Sequence, residues 1–430
     1  MFDGYDLAVV GIALPSIMKD MGVDPTSAGF MVSAALFGMM FGAITLGTLA
    51  DRLGRRMTIA LCIALFSIFT AAAGLTKDPV TFGVMRFFAG IGIGGVMPNV
   101  IAHMTEFAPK KIRSMMVTMM FSGYSVGSIL AAVLGKGLIE SYGWQSVFLA
   151  AGAPLILIPF ILKSLPESMP FLLQKGRVAE LKGIAAKLDP TYAPLSGDRF
   201  VVPNEDKPDS APIRHLFHEG RGFSTILCWI ACFMCLFMVY ALSSWLTKLM
   251  ITAGYSLGSA LTFVLVLNLG AIAGAVGGGW LTDRLHPKYV LVGMYALAAV
   301  SITMLGYKMS TELLYVFVAL AGASTIGTQI VNCAYIGQFY PMAVRSTGIG
   351  WALGVGRGGA ILAPIVIGAL VAMSLPLEKN FMAISIPAVV AGLAIALVNH
   401  SRSASVHSGL QGIAGAGEPL HAAQPSMSRQ

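Results

Sequence analysis

The chain has 430 residues, of which 56% are apolar and 11% are charged, and its formal net charge is +8. Soluble proteins carry roughly 25% charged residues, so this composition excludes a water-soluble globular domain and indicates a core that faces lipid. The net charge does not call for a nucleic-acid partner, because membrane proteins carry extra Lys and Arg in their cytoplasmic loops.

The first part of the chain, residues 1–164, predicts six membrane-spanning helices, because its apolar windows approach the roughly 20 residues that cross a bilayer. The windows are 3–19, 27–49, 57–76, 80–103, 114–137 and 144–164. The first window starts directly at the chain start, and we expect a truncated or mis-started helix 1 there. No cleavable signal peptide is predicted, since a charged leader and a small-residue cleavage site are both lacking.

A polar connector, residues 165–222, separates this part from a second set of six windows. These are 223–247, 257–281, 289–308, 313–336, 346–373 and 379–399, within a second half that spans 223–399. The connector is expected to link the halves and not to catalyse. Residues 400–430 are rich in Ser, Gly, Ala and His without an apolar period, which predicts a disordered tail.

An internal repeat relates the two sets of helices. Residues 47–56 (GTLADRLGRR) return in altered form as residues 279–288 (GWLTDRLHPK), an offset of 232, and Arg113-Ser114 returns at the same offset as Arg345-Ser346. Parallel halves of this kind enclose a substrate site at their interface in membrane transporters. The sequence therefore predicts an all-α membrane protein of 12 transmembrane helices in two six-helix halves.

The distribution of positive charge predicts the orientation of these helices. Most of the 28 Lys and Arg lie in the even-numbered connections and the tail. The odd-numbered connections hold only Lys19, Lys77, Lys136, Lys248, Lys308 and Lys379. Both ends and the connector are therefore expected on the cytoplasmic side of the inner membrane.

Four charges inside or at the edge of spans need an explanation, because each costs roughly 2.5–3.5 kcal/mol on insertion scales. They are Asp3, Asp6, Arg86 and Arg357. Asp3 and Asp6 are close to one helical turn apart and share a face, so burial and mutual repulsion are expected to favour proton uptake. Arg357 is expected near the midplane, where a guanidinium fork suits a carboxylate.

Each of these residues also has a structural interpretation. Arg86 is alternatively a fixed ion-pair partner inside the first half, and Asp3 alternatively caps or solvates the start of helix 1. His103, three residues before Glu106, is either a proton relay or a packed histidine. The five cysteines lie in apolar segments and predict neither a disulfide framework nor a metal site.

Several motifs resemble known transporter signatures. The pattern Gly47-x-x-x-Asp51-Arg52-x-Gly54-Arg55-Arg56 resembles the loop signature of the major facilitator superfamily, and Arg86 with the glycine run 90–95 resembles its helix-4 motif. Asp3-Gly4-Tyr5-Asp6 and Met97-Pro98-Asn99 are similar to the aromatic acid:proton symporters, and the stretch from Asp3 to about Pro166 looks most like the benzoate transporters.

The resemblance implies proton-coupled import of a monocyclic aromatic carboxylate, benzoate or a hydroxybenzoate, by a monomer without a cofactor and with the proton as coupling ion. Expected proton-coupling residues are Asp3 and Asp6, and expected substrate contacts are Arg357, Arg86, Tyr5 and Tyr124. Expected gating-loop residues are Gly47, Asp51, Arg52, Gly54, Arg55, Arg56, Asp283 and Arg284. The loop charges are alternatively simple positive-inside anchors, and residues 286–288 (HPK) depart from the signature.

Other functions remain open at this level. Efflux of organic anions by proton exchange uses the same fold with the opposite coupling sign. A sensor that binds the acid without transporting it should carry an output module, and neither residues 165–222 nor 400–430 resembles one. An enzyme is not predicted, because no constellation of nucleophile, base or metal ligands is visible.

Overall fold

The computed structural model describes residues 1–108, 113–188, 213–340 and 342–399, and within these ranges the regular structure is helical, with no strand. The first half contains α1 Phe2–Met21, α2 Pro25–Leu53, α3 Arg55–Ala73, α4 Pro79–Phe107, α5 Arg113–Tyr142 and α6 Gln145–Ser164. The second contains α7 Gly222–Thr252, α8 Leu257–Arg284, α9 Pro287–Met304, α10 Thr311–Phe339, α11 Met342–Ala372 and α12 Leu377–Leu397. The predicted all-helical architecture in two sets of six is confirmed.

Most of the segments predicted to span the membrane are also long and apolar enough in the structure to do so. Ten segments of the described chain are long and apolar enough to cross a bilayer, namely α2, α3, α4 and α6 to α12. The remaining two, α1 and α5, have 20 and 30 residues and pack against each other in the same bundle. Charged residues lower the hydropathy of α1, which carries Asp3, Asp6, Lys19 and Asp20.

The sixth segment differs from the single helix predicted over 144–164. It is α-helical at Gln145–Ala150, 3-10 helical at Ala153–Leu157 and α-helical again at Ile158–Ser164. Pro154 and Pro159 lack an amide hydrogen, and the ring of each crowds the preceding turn, so the regular hydrogen-bond ladder is weakened in this stretch. The apolar pattern predicted the span but not its interruptions.

Helix starts repeat between the halves. The Asp24 and Asp78 carboxylates accept backbone N–H groups of the first turns of α2 and α4, and each aspartate is followed by proline at the first helical position. Ser256 and Ser310, 232 residues later, cap α8 and α10 in the same way. Such caps satisfy amide groups that have no partner within the helix.

Close helix crossings also repeat at the offset of 232. A Cβ added at Gly38 on α2 would collide with the Phe87 carbonyl oxygen on α4, and one added at Gly270 on α8 would collide with the Ala319 carbonyl oxygen on α10. Glycine permits this approach of backbones, as in other membrane helix pairs. The repeat found in the sequence is therefore a repeat of packing.

A second pair of crossings obeys the same relation. Gly127 on α5 lies against the Met1 carbonyl oxygen, and Gly359 on α11 lies against the Phe233 carbonyl oxygen on α7. Both partners are again shifted by 232 residues. The pairs α1 with α5 and α7 with α11 are thus equivalent units of the two halves.

The halves meet toward one end of the bundle, which we call the closed end and define by Met21, Pro25 and Ala372. There the Ser33 hydroxyl on α2 donates to the Ile361 carbonyl on α11 at 2.7 Å. Closer to the centre, α1 and α7 cross where Gly11 lies against the Ser243 carbonyl. Gly11 and Ser243 are equivalent to each other under the offset of 232. At the opposite end, which we call the signature end, Gly54 and Leu285 follow α2 and α8 and end the signature segments of the two halves.

The short elements between the halves are Met169–Gln174, Val178–Leu188 and the 3-10 helix Ile213–Gly220. The rest of the connector, residues 189–212, and the predicted tail, residues 400–430, lie outside the described residues. All five cysteines are free; Cys62, Cys228, Cys232 and Cys235 are buried and Cys333 is half-buried.

Candidate functional site

A buried ion pair joins three helices of the first half. Asp6 on α1 and Arg86 on α4 have 0% and 1% of their surface exposed, and Thr70 on α3 is equally buried. The Arg86 Nη1 group donates to Asp6 Oδ1 at 2.9 Å, to Asp6 Oδ2 at 3.0 Å and to Thr70 Oγ1 at 3.2 Å. The Thr70 hydroxyl also donates to Asp6 Oδ1. A charge-assisted pair of this kind is how a buried charge is tolerated.

Arg86 keeps donor capacity beyond this pair. Its Nη2 group donates to the Asp6 backbone carbonyl at 3.3 Å, while its Nε group is buried and has no hydrogen-bond partner in the part of the chain that the structure describes. A guanidinium offers five N–H donors in a planar fork. The Arg86 side chain can therefore donate hydrogen bonds to Asp6 and also to a bound anion.

The second half has no counterpart of the ion pair. The positions 232 residues after Asp6, Thr70 and Arg86 are occupied by the fully buried apolar residues Met238, Ile302 and Val318. Equivalent helices thus pack through apolar side chains in the second half and through a buried ion pair in the first. The pair is not required by the architecture, so its presence in the first half points to a functional role.

A small cavity lies between the halves beside Arg86. Its volume is about 10 Å³, room for about one water molecule. Its walls are formed by Leu7, Val10, Val32, Ala35, Leu36, Arg86 and Tyr124 of the first half and by Tyr240, Ser243 and Ser244 of α7. The lining combines one cation, hydroxyl groups and an apolar surface.

The expected substrate contacts are only partly brought together. Arg86 and Tyr124 both line the cavity. Tyr5, expected to stack on a ring, is buried and donates its hydroxyl to the Val147 carbonyl at 2.8 Å, so it packs within the first half away from the cavity. Adjacent helical residues are about 100° apart, which explains why Tyr5 does not share the direction of Asp6.

The proton-coupling pair expected at Asp3 and Asp6 is described only at Asp6, because the Asp3 side chain lies outside the described residues. Among the described side chains, the charge that Asp6 contacts is the Arg86 cation. The alternative interpretation of Arg86 as an ion-pair partner therefore holds, together with its position on the cavity wall.

Arg357 occupies a different place from Arg86. It is half-buried on α11, and no ion pair or hydrogen bond joins it to another residue of the described ranges. Ile361, one turn further along α11, packs in a cluster with Leu36 of α2. Arg357 therefore lies on the α11 face that turns toward the first half, one turn farther from the closed end, and does not line the cavity.

The loop signature contacts helix ends of its own half. Arg55 forms an ion pair with Glu106 at the end of α4, and the Arg56 amide donates to the buried Glu167 carboxylate at 3.1 Å. Gly54 has φ of +90°, and a Cβ there would come within 2.6 Å of Glu167 Oε2. This close approach explains the glycine in the motif.

The other residues expected to form the gating loops make fewer contacts. Arg52 is exposed, Gly47 has open space beside it, and Arg284 lies over the Trp280 ring with its guanidinium carbon 4.2 Å from the ring centroid. The Asp51 and Asp283 side chains lie outside the described residues. Among the described side chains, Arg52 and Arg284 form no ion pair with a residue of the other half.

His103 and Glu106 lie close to the loop signature. His103 is buried, and its ring lies 4.7 Å from that of Phe107 between ring centroids. Burial raises the pKa of Glu106 above its ordinary value, and the Arg55 guanidinium offsets only part of that rise. The packed interpretation of His103 agrees with this placement.

Three residues of the site were not predicted from the sequence. Thr70 was not singled out because its role depends on contact with two other helices, and Ser243 and Ser244 are ordinary residues of an apolar helix. One signal was available: Ser243 is the repeat equivalent of Gly11, so both lie near the axis that relates the halves. Residues near that axis line the interface.

Comparisons with known proteins agree with this architecture. The sequence model of the Major Facilitator Superfamily matches residues 1–306. The chain is 47% identical to a benzoate transport protein of Acinetobacter baylyi, over 94% of this chain and 88% of that protein. It is 37% identical to a gallate transporter of Pseudomonas putida, over 94% of this chain and 90% of that protein. A bacterial homologue of the human lysosomal transporter Spinster, in an inward-facing conformation, superposes with a TM-score of 0.72 at 18% identity, over 92% of this chain and 94% of that one.

Proposed function

Because the chain belongs to the major facilitator superfamily, we propose that it imports a monocyclic aromatic carboxylate together with protons, by alternating access of one central site to the two sides of the membrane. It is a multi-pass membrane transporter and not an enzyme. Benzoate or a hydroxybenzoate is the proposed substrate, and the observation that carries the proposal is Arg86, which lies on the cavity wall with a buried donor still unpaired.

The cavity chemistry supports an aromatic acid. A carboxylate needs a cation to leave water, and the Arg86 fork supplies one. A ring needs apolar and aromatic walls, which Leu7, Val10, Leu36 and Tyr124 supply. The relatives named for benzoate and gallate transport support the same substrate class. The present cavity holds about one water molecule, so binding requires that the halves move apart around it.

The ion pair supports proton coupling. While Asp6 is ionised, it holds the Nη1 group of Arg86. Protonation of Asp6 would remove the negative charge and leave Arg86 to pair with the substrate carboxylate, so one proton and one anion enter a net neutral site together. Release of the substrate to the cytoplasm would let Asp6 lose its proton and recapture Arg86. Asp3 is proposed to assist proton entry from the neighbouring helix turn.

Alternating access would use the contacts already described. The closed end, with Ser33 bonded to Ile361, is proposed to face the periplasm, and the signature end with Arg55 and Arg56 the cytoplasm. Arg357 is proposed to contact the anion when the cavity opens toward it. The loop residues, including Asp51, Arg52, Asp283 and Arg284, are proposed to gate the cytoplasmic end. The transporter is proposed to work as a monomer in the inner membrane with both termini cytoplasmic and without a cofactor.

The test is uptake of labelled benzoate by cells that express the chain, at pH 6 and pH 8, with and without a protonophore. Symport predicts accumulation at pH 6 that the protonophore abolishes, and predicts that Asp6→Asn removes the pH-driven accumulation. The exposed pair Arg177 and Glu180 offers a matched control, and Glu180→Gln should leave uptake intact. Faster loss of benzoate from preloaded cells, without uptake, would show export instead.

A further inference from the structure

The polar groups of the cavity are divided between the halves. The first half supplies the Arg86 cation and Tyr124, and α7 of the second half supplies Tyr240, Ser243 and Ser244. The positions in the first half that are repeat-equivalent to the two serines are Gly11 and Ile12, which have no hydroxyl. A ligand held at Arg86 therefore meets serine hydroxyls only on the opposite wall.

Many helical Ser and Thr hydroxyls of this chain bond to their own backbone. Thr45 and Thr252, for example, donate to the carbonyl four residues earlier, at 2.8 and 3.0 Å. Ser243 and Ser244 form no hydrogen bond with any residue of the described ranges, although Ser244 is only 5% exposed. The unpaired hydroxyls of Ser67 and Thr247 are buried and do not line this cavity, whereas Ser243 and Ser244 line it and can bind a ligand or a water molecule there.

We propose that Ser243 and Ser244 are specificity-determining residues that bind a ring hydroxyl of the transported acid, at the end of the cavity opposite the carboxylate site of Arg86. This inference rests on the proposed function. Leu7 and Val10 line the same cavity, and their apolar side chains would contact the ring. The substrate thereby bridges the halves, with its carboxylate on the first and its ring hydroxyl on the second.

A serine site for the ring hydroxyl should make the transporter select between hydroxylated acids and benzoate. A site built to hydrogen-bond a substrate hydroxyl disfavours the analogue that lacks it, because the protein groups are then left unpaired. Hydroxylated acids should therefore compete better than benzoate for the transporter. The preference should depend on the two α7 serines and not on Arg86, which binds the carboxylate common to all these acids.

The experiment measures uptake of labelled benzoate in competition with unlabelled benzoate and unlabelled 3- or 4-hydroxybenzoate, for the wild-type chain and for Ser243→Ala, Ser244→Ala and the double variant. The quantity of interest is the ratio of the inhibition constants of hydroxybenzoate and benzoate. The double variant should shift this ratio against at least one hydroxybenzoate by about fivefold or more, the effect of one hydrogen bond of ordinary net strength. Ser301→Ala, at a buried serine that is bonded to Ala298 and does not line the cavity, should leave the ratio unchanged.

Three results would overturn the proposal. An unchanged ratio in the double variant and both single variants would show that the serines do not read the ring. An equal loss for both acids, at a normal level of folded protein in the membrane, would show a conformational role instead. Absence of aromatic acid uptake by the wild-type chain would refute the proposed function itself and this inference with it. If the double variant does not fold, the single variants supply the same ratio.

Discussion

Exchanging the charged triad of the first half for its apolar equivalents in the second half should preserve the fold and abolish proton coupling. The three substitutions are Asp6→Met, Thr70→Ile and Arg86→Val, each taken from the position 232 residues later. All three equivalents are fully buried in the second half, in the same helix packing. The larger Met and Ile return part of the volume lost at Arg86.

The expected magnitude follows from the burial of the pair. Asp6 and Arg86 are 0% and 1% exposed. Removing one partner leaves a buried charge uncompensated, so Arg86→Val alone should lower the free energy of unfolding by about 3–5 kcal/mol. Replacing the whole pair with packed apolar residues is often neutral or stabilising by about 1–4 kcal/mol, so the triple variant should recover most of that loss.

The measurement is the free energy of unfolding of purified protein in detergent, for each single variant and the triple, beside uptake of labelled benzoate. The exposed pair provides the control: Arg177→Met should cost at most about 1 kcal/mol, because both partners are at least 42% exposed. A triple variant as unstable as the sum of its single substitutions would refute the reasoning. So would a triple variant that still accumulates benzoate in response to a pH gradient.

Three further outcomes are expected. Ser33→Ala removes the hydrogen bond to the Ile361 carbonyl at the closed end, which should open that end more often and raise the apparent affinity for external substrate about two- to tenfold, measured as the concentration dependence of uptake. Gly11→Val places a side chain against the Ser243 carbonyl, so uptake should be lost while the protein still reaches the membrane; full activity would contradict the assigned crossing. Burial raises the pKa of Glu106, so the folded state holds this proton more tightly than the unfolded state. The free energy of unfolding should therefore fall as pH rises from about 4.5 through the raised pKa. Glu106→Gln should reduce this pH dependence, measured by unfolding across the same range.

The periodic features of the fold were predictable from the sequence because they depend on local composition and on repetition. Apolar windows predicted the helices to within a few residues, and the offset of 232 predicted two equivalent halves, which the structure shows in crossings such as Gly38 with Phe87 and Gly270 with Ala319. The breaks in α6 were not predicted, since an apolar window reports burial in lipid but not the hydrogen bonds lost at prolines.

The site was only partly predictable because partners depend on packing between distant helices. Asp6 and Arg86 stood out as buried charges, but their contact requires α1, α3 and α4 to meet at one level. Tyr5 was chosen for its position beside Asp6, and the helical turn sends it elsewhere. Ser243 and Ser244 carry no local signal, because a serine in an apolar helix ordinarily bonds to its own backbone.

The burial of the native cysteines makes this protein a convenient background for probes of its movement. Cys62, Cys228, Cys232 and Cys235 are closed off from solvent, and Cys333 is half-buried. Reagents attack the exposed thiolate, so these native sites should react slowly. Two cysteines engineered near Gly47 and near its repeat equivalent Gly279, both beside open space, could then be tagged selectively with spin labels or fluorophores. The distance between the two tags would follow the opening and closing of that end without first removing the native thiols.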